Sequence, residues 1–291
     1  MTTEPHDLRQ LFRAIGSVSG ARALEAAPAD RTDLGAVVDV LDEDPAEVVC
    51  DPLEVSAYVD GIQASMVMTH RMHRPVYLSF VSAGAVASDG LPLDAEEELT
   101  VVCSHLDREW VDELGSTVPV HELAAELPPD VERAGHLQLG GDRSRLESVV
   151  IERAVARGGY VVSDGALTGR KDTRTLVGVV KTHGSRYLPD ESVLYGLAER
   201  WRSPRFRIPA GHGAGTDRWS CYVRLRPANF APWTFGLIRL ETFSLDLLEP
   251  LAAATFTQRQ SAGSGDARFD RHLFAVRRCE DFLRARRPQV Y

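Results

Sequence analysis

Apolar, β-branched runs alternate with polar or Gly/Pro-rich breaks along most of the chain, and the breaks set the expected elements. "DPLEVSAYVDGIQASMVMTHRM" carries a strand around Ala57–Asp60 that continues or pairs through Ser65–His70. "RPVYLSFVSAGAV" and "EEELTVVCSH" supply two more strands. Helical periodicity is then expected in "LDREWVDELG", "VHELAAELPPD" and "DRSRLESVVIERAVARGG". In the last, Leu146, Val149, Val150 and Val155 share helical spacing, and Gly158-Gly159 is a stop signal. "YVVSDGAL" and "TLVGVVKTHG" read as consecutive strands, followed by a helix in "DESVLYGLAERW". Strands "RFRIPA", "SCYVRLRPA" and "FGLIRLETF" follow, then helices "LDLLEPLAAATFTQRQ" and "ARFDRHLFAVRRCEDFLRARR".

This order predicts an α/β protein: a mixed sheet with helices on its faces and a helical insertion. Residues 1–35 read as an N-terminal segment of short helices at the edge of the fold, and residues 36–291 as one domain. "QRQSAGSGDA" is short and reads as a loop inside that domain.

Composition narrows the functions. The formal charge of −9 argues against a protein that coats nucleic acid by charge alone, but not against a nuclease with a local basic groove. No apolar run approaches a membrane span, and the polar start is unlike a signal peptide, so a soluble cytoplasmic protein is expected. Cys50, Cys103, Cys221 and Cys279 form no CxxC pair and read as reduced, mostly buried thiols. "GALTGRKD" has the wrong spacing for a phosphate loop, and "VHELAAE" has Ala125 where a zinc protease needs its second histidine. "MTHRMHRP" reads as a solvated hairpin.

Two strands end on Asp-Gly: Asp60-Gly61 and Asp164-Gly165. Asp-Gly is a common turn dipeptide, yet a carboxylate ending a buried strand is costly without a cation to hold. If the two strands are neighbours, Asp60 and Asp164 converge on one edge of the sheet. Glu147, on the helix seventeen residues before Asp164, can return to that edge. Such a carboxylate set suits Mg²⁺ or Mn²⁺, and two such ions stabilise the attacking and leaving oxygens of a phosphodiester.

The motifs "YVDGIQAS", "RSRLESVVIERA", "YVVSDGAL" and "LVGVVKTHG", in that order, resemble the NurA family, with "WSCYVRLRP" and "FGLIRLE" fitting its later paired strands. The resemblance implies an RNase H-like nuclease, dependent on Mn²⁺ or Mg²⁺, that works on DNA with a HerA-like hexameric ATPase and forms a homodimer. It implies that Asp60, Glu147 and Asp164 are metal-binding carboxylates, with Glu152 a second match for the helical one. It further implies that Lys181 touches phosphate or a carboxylate. The chain departs from the family at "FDRHLFAVR", where Arg277 stands in place of the family's histidine. Asp270, or else His272, is the expected substitute ligand. Arg224, Arg226 and Arg277, in a locally basic C-terminal half with aromatic neighbours, are expected to contact nucleic acid. A subunit that keeps the fold but has lost catalysis is the alternative, and the departure at "FDRHLFAVR" favours it. An actin-like ATPase fits poorly, because "DGIQAS" lacks the small phosphate-binding residues close after the aspartate.

Overall fold

The computed structural model describes residues 38–288, apart from 42, 116, 184–186, 211–215, 229–231 and 260–270. The expected N-terminal helices and Asp270 lie outside the described residues. The strands are β1 (Asp39–Val40), β2 (Ala46–Glu47), β3 (Val55–Arg71), β4 (Arg74–Val86), β5 (Pro92–Ser104), β6 (Val120–Leu123), β7 (Tyr160–Asp164) and β8 (Leu176–Val180). They continue as β9 (Trp201–Arg202), β10 (Phe206–Ile208), β11 (Arg218–Arg224) and β12 (Leu237–Thr242). The α-helices are α1 (Arg108–Glu113), α2 (Pro128–Ala156), α3 (Ser192–Tyr195), α4 (Leu248–Thr257) and α5 (Phe274–Arg286).

All the strands join one mixed sheet, whose main path runs β1-β10-β11-β12-β8-β7-β3-β4-β5-β6. β3, β4 and β5 form an antiparallel meander, while β7 lies parallel to both β3 and β8. β3 and β4 turn at Met72 and His73, both with positive φ, as a two-residue hairpin requires. Arg74 donates to both oxygens of Asp107, at 2.8 and 2.7 Å, and braces the base of that turn.

Both sheet faces are covered. α2 packs on Ala57, Val59, Val81, Ala83, Val161 and Leu176 through Leu146, Val150, Ile151 and Ala154. The opposite face, including Tyr58, Val162, Val177, Val179 and Leu240, is covered by α4 and α5. Burial on both sides explains why "LVGVV" in β8 is apolar without alternation. Among the described residues, no helix is long and apolar enough to cross a membrane.

Two glycines set the spacing of these layers. At Gly159, with φ of +82°, a Cβ would stand 2.7 Å from the Ser56 side chain, so the α2–β7 turn presses directly onto β3. At Gly84 it would meet Leu283 Cδ2 at 2.8 Å, so α5 sits flush on β4 opposite Asp60. Leu283 is fully buried, and its loss would cost about 2–5 kcal/mol.

Several helical expectations need correction. "VHELAAELPPD" is not a helix: Val120–Leu123 pair with β5 as a strand, and α2 begins only at Pro128. α2 then runs 29 residues through Gly140-Gly141, because packing on the sheet outweighs about 1 kcal/mol per glycine. "DESVLYGLAERW" forms one turn, α3, before Gly196 and the strand β9. The last helix starts at Phe274, later than its apolar pattern suggested.

Candidate active site

The parallel pairing of β3 and β7 places Val59 opposite Ser163, so the next residues, Asp60 and Asp164, stand side by side on the face covered by α5. Asp60 is buried, and its Oδ1 accepts the Gly61 N–H at 2.7 Å. Burial, followed by the charge of Asp164, pushes the Asp60 carboxyl up to about 8. Lys181 and the Gly61 N–H pull the other way, and Glu280 adds to the rise.

Asp164 is the last residue of β7. Gly165 after it has φ of +124°, a conformation that strains any L side chain, and its N–H donates to Val179 O at 2.8 Å. The dipeptide therefore turns the chain while its carboxylate faces a cation: Lys181 Nζ, just past β8, lies 2.8 Å from Asp164 Oδ2. The Lys181 carbonyl is in turn held by Arg271 Nη1 at 2.8 Å.

Glu147 approaches from the α2 side. A Cβ on Gly61 would stand 2.5 Å from Glu147 Oε1, so only glycine lets α2 bring this carboxylate over the end of the parallel strands. Arg170 Nη2 donates to Glu147 Oε2 at 2.8 Å, and Arg143 Nε lies 3.7 Å from Oε1. Burial nevertheless raises the Glu147 carboxyl above its ordinary range, and Asp164 adds to that rise against both arginines.

Two participants had no clear sequence signal. Arg170 lies on the loop after Asp164 and also bonds Ser144 O and Ser148 Oγ. Glu280 on α5 is near enough for its charge to raise Asp60, and it is held by Arg277 at 3.3 Å and Arg284 at 2.6 Å. The only cue was position: Val276, Cys279 and Leu283 form the buried stripe of α5, and Glu280 borders it.

The remaining expected residues fall elsewhere. Glu152 is exposed on α2 and pairs with Lys171 at 3.2 Å. His272 is buried just before α5. Arg277 is paired with Glu280 and Asp281 on its own helix. Arg226 is partly buried against Gly236. Arg224 needs a correction: it is fully buried and donates to the carbonyls of Leu194, Leu197, Trp233 and Phe235. It is an internal clamp for two loops and presents no surface to a phosphate.

Among the described residues, no three His, Cys, Asp or Glu side chains are grouped closely enough to hold a metal ion. As the side chains stand, Glu147 and Glu280 face arginines. The adjacent Asp60–Asp164 pair, with a raised carboxyl on Asp60 and Lys181 on Asp164, has the oxygen donors that fit a hard divalent cation, whose binding would release the Asp60 proton. No family model matches the chain, and no curated protein does.

Proposed function

We propose that the protein is a metal-dependent nuclease with an RNase H-like fold that cleaves DNA at ends or in single strands. The observation that carries this reading is that Asp60 lies beside Asp164 where β7 ends, with Asp60 buried and its carboxyl raised; contrary to the sequence expectation, β3 does not end at Asp60 but runs on to Arg71. The strand order β5-β4-β3-β7-β8, with β4 antiparallel to both its neighbours and β3, β7 and β8 mutually parallel, supports the RNase H-like assignment. So does the helix α2 that connects the meander to β7 and delivers Glu147.

Asp60 and Asp164 would hold Mn²⁺ or Mg²⁺, with Glu147 and Glu280 within reach. When bound, such an ion stabilises charge on a phosphoryl group under attack and makes a nucleophile accessible at neutral pH. Lys181 orients Asp164, and its ammonium would offset charge on the phosphate. Arg170 holds Glu147 over Gly61 in the absence of other cations. The net charge of −9 makes unaided encounter with DNA slow, so delivery by a ring-shaped, HerA-like ATPase fits this protein, as does a homodimer.

The test is cleavage of labelled single- and double-stranded DNA with Mn²⁺, Mg²⁺ or chelator, alongside calorimetric titration of the metal. Cleavage that needs the divalent ion and is lost in Asp164→Asn supports the reading. The pairing of both Glu147 and Glu280 with arginines favours a second reading, a catalytically silent DNA-binding subunit of the same ATPase assembly. Metal that binds without cleavage, with or without the ATPase, would select it.

A further inference from the structure

We infer that Arg143 is the residue that grips the backbone phosphate of the nucleic acid beside the carboxylates. This rests on the nuclease reading and adds a substrate contact to it.

The two arginines on Glu147 are held very differently. Arg170 is 11% exposed and bonded to Glu147, Ser148 and the Ser144 carbonyl, so its guanidinium is committed inside the protein. Arg143 is 43% exposed, and 3.7 Å from Glu147 is ion-pair contact without a hydrogen bond. Its buried Nε has no hydrogen-bond partner among the described residues. A guanidinium in that state has donors to offer and only a loose hold to give up.

Its position fits a phosphate. β7 pairs with β3 only over Val55–Val59, whereas β3 runs on to Arg71 with β4 as its partner. Past Asp60, the other edge of β3 is therefore unpaired among the described residues, and Gln63 on it is exposed. Arg143 lies one helical turn before Glu147 on α2, with its Cγ 2.9 Å from where a Cβ on Gly61 would be. It overhangs the start of that open edge from the α2 face, beside Gly61. A strand of nucleic acid laid along the edge would bring a phosphate between Arg143 and the acids, where a planar guanidinium binds two of its oxygens.

The experiment measures binding of a fluorescent single-stranded oligonucleotide in chelator across a salt series. It uses the Asp164→Asn background so that cleavage does not intrude. Adding Arg143→Gln should weaken binding roughly tenfold. It should also flatten the plot of log affinity against log salt by about 0.7, the share of one phosphate contact on a single strand. Arg143→Lys should restore most of the slope but less of the affinity. Arg170→Gln should lower the melting temperature and leave the slope unchanged. Equal affinity and slope for Arg143→Gln and its parent overturn the assignment of Arg143 and leave the nuclease reading standing. If the parent binds no oligonucleotide even at low salt, the phosphate contact assigned to Arg143 fails, whereas the nuclease reading fails only if wild-type protein with Mn²⁺ neither binds nor cleaves DNA.

Discussion

Two buried carboxylates of the same sheet, on strands separated by β7 and β8, have opposite fates. Glu241 on β12 is wholly buried, yet its oxygens accept from Arg218 Nη1 at 2.9 Å, from the Leu167 N–H at 2.8 Å and from Arg239. Asp60 on β3 is nearly as buried but accepts one backbone N–H, and its nearest charged neighbours include another carboxylate. Burial is common to both, so burial does not mark the site. What separates them is compensation: Glu241 is saturated by donors and its role is structural, whereas the Asp60 carboxyl has one backbone donor, sits beside Asp164 and is pushed up to about 8.

Glu241 also serves the site indirectly. Through Leu167 N, and through Arg218 to Thr168 Oγ1 at 2.7 Å, it pins the loop that follows Asp164. Gly178 lies beneath this loop, where a Cβ would stand 2.7 Å from Gly165 O. The same loop carries Arg170, which reaches Glu147.

The largest expected effect breaks the saturated cluster. Glu241→Ala leaves Arg218 and Arg239 buried without their counter-ion and should cost about 3–5 kcal/mol, read from urea unfolding. A loss under about 1 kcal/mol would mean that the arginines find other partners and that the contrast with Asp60 is overdrawn.

Asp164→Asn should lower metal-dependent cleavage at least ~100-fold, because the amide keeps the shape and loses the charge. The same change removes repulsion with Asp60, so in chelator the variant should melt no lower than the parent. Wild-type cleavage by this variant would remove Asp164 from the site.

A third test uses pH. An unfolded aspartate titrates near ~3.9, while Asp60 in the folded protein is pushed up to about 8. Across that window the folded state keeps a proton that the unfolded state has released, so the contribution of Asp60 to stability declines as pH rises and levels off above it. Asp60→Asn should flatten this part of the stability profile in chelator, and Mn²⁺ should raise the wild-type melting temperature most at the alkaline end. Superimposable profiles for the two proteins would place Asp60 in the ordinary carboxylate range and dissolve the comparison.

The smallest effect concerns the turn between the two clusters. Gly165→Ala forces a side chain into positive φ and should cost about 1–2 kcal/mol. Its cleavage rate at saturating Mn²⁺ should fall less than that of Asp164→Asn, and an equal fall would make the loop itself part of the chemistry.

Much of the architecture was legible in the chain. Period-two and all-apolar runs located β3, β4, β5, β7, β8, β11 and β12, and Gly158-Gly159 marked the end of α2. The aspartates at positions 60 and 164 stood out because Asp-Gly after an apolar run is both a turn signal and an electrostatic cost. "VHELAAELPPD" misled because its apolar spacing suits a helix, while an open edge of β5 drew Val120–Leu123 into the sheet. Arg224 misled because an arginine in a basic stretch looks solvated, and nothing local records the four carbonyls that surround it.

The sequence by itself determined where most strands and helices form and that an Asp-Gly follows two of the apolar runs, because periodicity, turn chemistry and charge are properties of neighbouring residues; that β7 ends there while β3 runs on to Arg71 was decided by pairing with β4. Which acids are compensated was decided only by the tertiary structure. The partners of Glu147 and Glu241 include Arg170 and the Leu167 N–H, 23 and 74 residues away along the chain. Those pairings follow from strand register and from helix spacing set at Gly61 and Gly84. An ion pair depends on distance through space, and local sequence pattern does not encode that distance.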